Sequence, residues 1–304
     1  MPLPIVHHPA YVAPIPTDHR FPMGKFGRLI EHLRTLGLAR PGTEFRPIPA
    51  PLRWVEMAHD EAYVTGIAEQ TLDAQAIRRL GLPMSPGVAA RSFAAVGGTI
   101  LAARLALEYG LACNTAGGSH HAHAGFGSGF CVFNDVAVAA CVLRAEGSIG
   151  RVLVVDLDVH QGDGTAAIFR SDPGVFTFSM HALGNFPVRK ETGDLDVGLP
   201  DLLEDGAYLR ELAFYLPGLI ETVRPDIVFY NAGVDPHADD RLGRLALTAA
   251  GLERRDRYVI ETVLARGIPL VGVIGGGYSR DIDAVARRHA ILHRTAASVF
   301  EERL

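Results

Sequence analysis

The chain has 304 residues, 48% of them hydrophobic, enough to bury a large core. Its formal net charge is −5 and it contains no long basic run, which argues against a broad phosphate-binding surface and against nucleic acid as the partner. Three cysteines, Cys113, Cys131 and Cys141, fall at irregular spacings that make neither a disulfide framework nor a CxxC metal knuckle, as suits a reducing compartment. The opening stretch MPLPIVHHPAYVAPIP lacks the charged and apolar regions of a signal peptide, and no run of about 18 apolar residues follows. A soluble, cytoplasmic protein with no membrane partner is therefore expected.

In chain order, a first apolar run at 3–8 is followed by a helical pattern at 24–36, where Phe26, Leu29, Ile30 and Leu33 make one apolar stripe. A second run at 110–116 precedes a helix at 134–144 that is apolar nearly all round and so expected to be buried. Runs at 151–158 and 175–181 come next, then an amphipathic helix marked by Tyr208, Leu209, Leu212, Leu216, Leu219 and Val223. Pro217 is expected to kink or split that helix, because proline has no N–H to donate. Strand-like runs at 226–232 and 268–274 alternate with helices at 248–266 and 280–300. Val- and Ile-rich runs of this kind read as buried parallel strands. Their alternation with helices predicts an α/β fold, a mostly parallel central sheet with helices on both faces, as one domain over 1–304.

The segment RVLVVDLDVHQGDG (151–164) is an apolar strand ending in polar residues two apart, so Asp156, Asp158 and His160 are expected to project together at a carboxyl strand end. A solvated strand end would show the same residues. A second run, DIVFYNAGVD (226–235), ends in Asp235, with Gly233 permitting a bend before it. Two carboxylates and one imidazole make a three-ligand site with an open position, as in catalytic metal centres. Asp235 alone reads equally as a turn cap. Such a donor set suits Zn(II), Fe(II), Co(II) or Mn(II).

Adjacent His120 and His121 lie in a glycine-rich loop that can turn both toward a cleft, where one can act as a proton shuttle. Asp156 and Asp163 are available to fix their tautomers and raise their pKa. His123 reads as a surface residue. The run GGGY (275–278) matches neither GxGxxG nor GxxxxGK[ST], so a dinucleotide-binding oxidoreductase is weakly supported. Tyr278 can donate to a developing oxyanion or simply pack.

Together, GGSHHAHAGFGSGFCVFND (117–135), RVLVVDLDVHQGDG (151–164), YNAGVDPHADDRLG (230–243) and GGGY (275–278) resemble the histone deacetylase family of the arginase/deacetylase fold. FPMGKFGRLIEHL (21–33) and DRLGRLALTAAGLERRD (240–256) resemble its class IV branch and bacterial relatives. The resemblance implies a catalytic zinc on Asp158, His160 and Asp235, with Tyr278 on the substrate carbonyl and His121 as general base and acid. It pairs His120 with Asp156 and His121 with Asp163. Gly129, Phe130, Phe186 and Leu242 become the walls of an acyl-lysine tunnel, with Gly118 touching substrate near the metal. A structural potassium ion is implied at Asp156, Ser179 and the backbone oxygens of Asp158, His160 and Met180. Gln161, where class I members carry histidine, follows the class IV pattern, and 123–128 departs from the class I rim.

The implied activity is hydrolysis of an acetyl- or longer acyl-lysine amide in a protein or peptide. An acetylpolyamine or other small acylated amine is the alternative substrate, and a non-catalytic acyl-lysine binding protein is the alternative of a different class.

Overall fold

The structure, a computed structural model, describes residues 2–303. Eight strands form one sheet: β1 (Ile5–Val6), β2 (Glu44–Phe45), β3 (Leu111–Asn114), β4 (Val152–Asp156), β5 (Val175–Ala182), β6 (Leu195–Leu199), β7 (Ile227–Asn231) and β8 (Leu270–Val273). Their order is β2-β1-β3-β8-β7-β4-β5-β6, and each adjacent pair is parallel. Every residue of the four central strands β3, β8, β7 and β4 is buried, which is why those runs read as unbroken apolar segments rather than alternating ones.

Five of the six predicted runs contain a strand, and the sixth, 175–181, stops one residue short of the end of β5. The two outermost strands, β2 and β6, went unforeseen because edge strands bury less. β2 is two half-buried residues, and β6, Leu-Asp-Val-Gly-Leu, is mostly half-buried with a polar residue in it.

Helices Lys25–Thr35, Ile282–Glu302, Ala249–Leu264 and Asp205–Val223 pack in succession on one face. Pro86–Tyr109 and Asp135–Ala145 pair on the other. The sheet is thus covered twice, as the alternation of runs and helices predicts.

Pro86–Tyr109 has no apolar stripe to reveal it, being buried over most of its circumference. Its signals sit at the ends: Ser85 caps the Val88 N–H at 3.2 Å, Pro86 opens the first turn, and Gly110 closes it at φ 88°. By length and composition this one helix among the described residues could cross a bilayer, but 78% of its apolar window is buried inside the protein. The helix is not split at Pro217: Asp205–Val223 is one helix. The carbonyl four residues back belongs to Ala213, which is exposed, so water can take the hydrogen bond that proline cannot make.

Because all strands run the same way, the carboxyl ends of β3, β8, β7 and β4 lie side by side, and the polar segments that follow them meet above the middle of the sheet.

Candidate active site

Strand β4 ends at Asp156, and beyond it the chain turns rather than alternating. Carboxylates shape the turn, with Asp156 Oδ1 accepting from the Asp158 N–H at 3.2 Å and Asp158 Oδ1 from the His160 N–H at 3.0 Å. The three side chains therefore do not share one face. Asp158 and His160 converge with Asp235, which follows β7, while Asp156 turns to His120.

His160 Nδ1 lies 3.0 Å from Asp158 Oδ1 and 3.2 Å from Asp235 Oδ2. One donor atom from each of these three buried residues falls within 4.8 Å of the others. Backbone N–H groups hold the outer oxygens, Gly276 on Asp158 Oδ2 at 2.7 Å and Val159 on Asp235 Oδ1 at 2.9 Å. Asp235 Oδ2 accepts no hydrogen bond. Glycine is required at 276, since a Cβ there would run into both carboxylates. Gly233 serves the same close approach, with its missing Cβ facing Asp158, just before the chain bends at Val234 toward Asp235.

Burial disfavours the charge on Asp235, and neighbouring Asp158 pushes its carboxyl up further. Burial likewise opposes the His160 cation, yet Asp158 and Asp235 push it up to about 10. The cluster draws in a positive charge and offers an unshared carboxylate oxygen to receive it, so its donors fit a divalent metal.

The loop after β3 delivers the histidine pair. His120 Nδ1 is 2.6 Å from Asp156 Oδ2 and His121 Nδ1 is 2.5 Å from Asp163 Oδ1, both buried. Asn231 Nδ2 donates to Asp156 Oδ1 at 3.0 Å. The two imidazoles differ sharply. Burial opposes the His120 cation, but Asp156, Asp158 and Asp163 push it up to about 9. At His121, burial and then the charge of His120 prevail over Asp163 and push it down to about 4. The expected rise thus holds for His120 and fails for His121, whose neighbour is a cation. A neutral His121 beside an ionised Asp163 carries its proton on Nδ1, leaving Nε2 as a base.

His123 is not a free surface residue. Its Nε2 is 3.3 Å from Asp163 Oδ2, and its ring stacks on Phe126 at 4.4 Å.

Tyr278 is 8% exposed, and its ring meets that of His160 edge-on at 6.2 Å. Its N–H donates to Asp240 Oδ2 at 2.7 Å. A cavity of about 480 Å³ opens above these groups. His121, His160 and Tyr278 are its buried floor, Gly129, Phe130, Phe186 and Leu242 line it, and exposed Arg20, Arg79, Val188 and Arg244 stand toward solvent. Gly118 does not line the cavity. It is buried beneath the histidine loop at φ 82°, with its N–H on Asp135 Oδ2 at 3.2 Å.

Three residues escaped the sequence reading. Lys25, 1% exposed, donates to the Gly275 carbonyl at 3.1 Å and lies 5.7 Å from the Tyr278 ring centre. Burial pushes its ammonium down to about 8, against the pull of Asp235 and Asp158. Asp240 braces the Tyr278 loop. Arg255, fully buried, donates to the carbonyls of Leu157 at 3.2 Å and Gly233 at 2.7 Å, so it ties together the segments that carry Asp158 and Asp235. The only signal for Lys25 and Arg255 was a charge set among the apolar positions of a helix.

Residues 19–294 match the histone deacetylase domain family. The chain is 54% identical over 300 residues to an uncharacterised protein of Picosynechococcus sp., covering 99% of this chain and 100% of that one. It is 30% identical over 271 residues to Histone deacetylase 2 of Arabidopsis thaliana, covering 86% and 70% of the two chains. It is 34% identical over 182 residues to the acetoin utilization protein AcuC of Staphylococcus aureus, covering 55% of this chain and 46% of that one. The crystal structure of the HDA15 HD domain superposes with a TM-score of 0.78 at 22% identity, covering 99% of this chain and 91% of that one, and so shares the fold. The chain belongs to the histone deacetylase family, within the arginase/deacetylase superfamily. It is an amide hydrolase of the deacetylase/deacylase type.

Proposed function

We propose that the protein hydrolyses the Nε-acyl amide of acyl-lysine in a protein or peptide, with zinc at Asp158, His160 and Asp235. One observation carries this reading. A neutral imidazole, His121, and a phenol, Tyr278, line the floor of an apolar-walled cavity together with the metal-competent cluster.

Asp158, His160 and Asp235 would hold a divalent metal, which when bound would supply polarisation of the amide carbonyl and a lowered pKa of water. His121 Nε2 takes the proton of the attacking water and returns it to the leaving amine, with Asp163 holding the ring. His120, kept cationic by Asp156, adds positive charge beside the reacting centre. The Tyr278 hydroxyl donates to the carbonyl oxygen as it gains negative charge. Phe130, Phe186 and Leu242 exclude water from the acylated side chain.

The class IV assignment rests on the sequence pattern, including Gln161. That side chain bonds the Glu191 carbonyl at 2.7 Å and Asp196 at 2.8 Å rather than the metal cluster. The potassium site is supported by the register that sets Ser179 opposite Asp156.

The test is a panel of acetyl-lysine, long-acyl-lysine and acetylpolyamine substrates, run with and without chelator, beside elemental analysis of protein purified without added metal. Chelator-sensitive release of free lysine amine, with equimolar zinc, is the expected outcome. Acyl-peptide binding without product would leave a binding protein, and an equimolar metal other than zinc would replace the cofactor.

A further inference from the structure

The mouth of the acyl cavity runs against the charge of the whole chain. The protein carries a net −5, yet Arg20, Arg79 and Arg244 line the cavity and no Asp or Glu does. Arg244 is partly neutralised, with its Nη1 3.2 Å from Asp201 Oδ2 and both side chains exposed. Arg20 and Arg79 make no ion pair among the described residues. Arg79 lies in the last turn of the helix Ala74–Leu80, its guanidinium laid over the Phe126 ring at 4.6 Å, and it also borders a neighbouring hollow that holds Asp60 and Asp73. Two unpaired cations thus stand at the entrance to a passage whose walls are apolar.

An acyl-lysine substrate passes only its acylated side chain between those walls, so the residues on either side of the lysine remain at the mouth with the arginines. We propose that this arginine rim selects acyl-lysines flanked by acidic residues, and disfavours basic-flanked acyl-lysines and acetylated polyamines. The inference rests on the acyl-amide hydrolase reading above and adds the sign of the substrate.

Exposed charge pairs are weak, each a factor of about 1.4 to 5, so Arg20 and Arg79 together with a half-neutralised Arg244 give a preference on the order of 10-fold. Contacts made equally before and during reaction appear in KM rather than kcat. The preference also falls with salt, because the screening length drops from about 10 Å at 0.1 M to about 3 Å at 1 M.

The experiment uses metal-loaded protein and three peptides that share one central Nε-acetyl-lysine, with flanks of Asp/Glu, Ser/Ala or Lys/Arg. Both kcat/KM and binding by fluorescence anisotropy are measured in low salt and in 1 M salt. The expected order is acidic above neutral above basic, spread about 10-fold through KM, compressed in 1 M salt and inverted in the Arg20→Glu/Arg79→Glu variant. The Arg20→Gln/Arg79→Gln variant should flatten it. Equal kcat/KM and equal binding for the three peptides in low salt, or a preference for basic flanks, overturns the rim. Charge-ordered binding without turnover keeps the rim and overturns the hydrolase reading instead.

Discussion

Arg255→Met is expected to destabilise the protein and weaken metal binding together. The guanidinium is fully buried in the helix Ala249–Leu264, with Nε donating to Asp256 Oδ1 at 2.9 Å and Nη1 reaching the Leu157 and Gly233 carbonyls. Asp256 Oδ1 also accepts the Tyr230 hydroxyl at 2.6 Å. Methionine fills much of the same space, so little cavity is left, and the cost is electrostatic. Breaking a buried ion pair from one side costs about 3–5 kcal/mol, because the remaining charge stays buried. Each carbonyl left without a donor adds about 1–3 kcal/mol. At roughly 1.6 °C per kcal/mol for a chain of this length, the ion-pair loss alone lowers the melting temperature by about 5–8 °C.

The two carbonyls flank the metal cluster, Leu157 preceding Asp158 and Gly233 lying two residues before Asp235, so the variant should also bind metal more weakly. Thermal melts of metal-free and metal-loaded protein, with a chelator-competition titration, read both effects. Adding Asp256→Asn should recover part of the stability by removing the orphaned charge, but not the metal affinity. If Arg255→Met melts within about 1 °C of the parent and binds metal equally well, the reasoning is wrong.

Tyr278→Phe should keep its fold and metal while kcat falls about 100-fold to 1,000-fold, the usual cost of one oxyanion donor. Unchanged turnover would remove the tyrosine from the chemistry. His121→Ala should retain metal and lose turnover, whereas Asp158→Ala should lose both, as elemental analysis beside an amidase assay would show. Metal loss in His121→Ala would overturn the ligand set. His59 links stability to pH. Its buried ring has Nδ1 2.9 Å from the His123 carbonyl and accepts the Asn134 N–H at Nε2 at 2.9 Å, and burial pushes it down to about 4. Its contribution is complete above pH 6.5, falls as the unfolded chain takes up the proton that the native ring refuses, and levels off below pH 4. The loss is about 2 kcal/mol by pH 5. Denaturant midpoints of the parent and His59→Gln should therefore draw together between pH 7 and pH 5, and a constant gap would count against the assignment.

The sequence by itself determined the parallel sheet and the segments that meet at its carboxyl ends. Both are local signals: mainly apolar, fully buried runs at β3, β4, β7 and β8, with glycine, histidine or aspartate in the segments that follow them. A strand buried on both faces has no freedom to read otherwise. Edge strand β6 and the uniformly apolar helix Pro86–Tyr109 escaped, because one is half-buried and the other has no stripe. Only the tertiary structure decided which of two adjacent histidines is charged. His120 and His121 have the same local sequence and each has a carboxylate, yet one faces Asp156 and Asp158 while the other faces its own cationic neighbour. Lys25, Asp240 and Arg255 likewise act on groups far along the chain, Lys25 on a carbonyl 250 residues away. Through-space charge and burial set these roles, and neither leaves a period in the sequence to read.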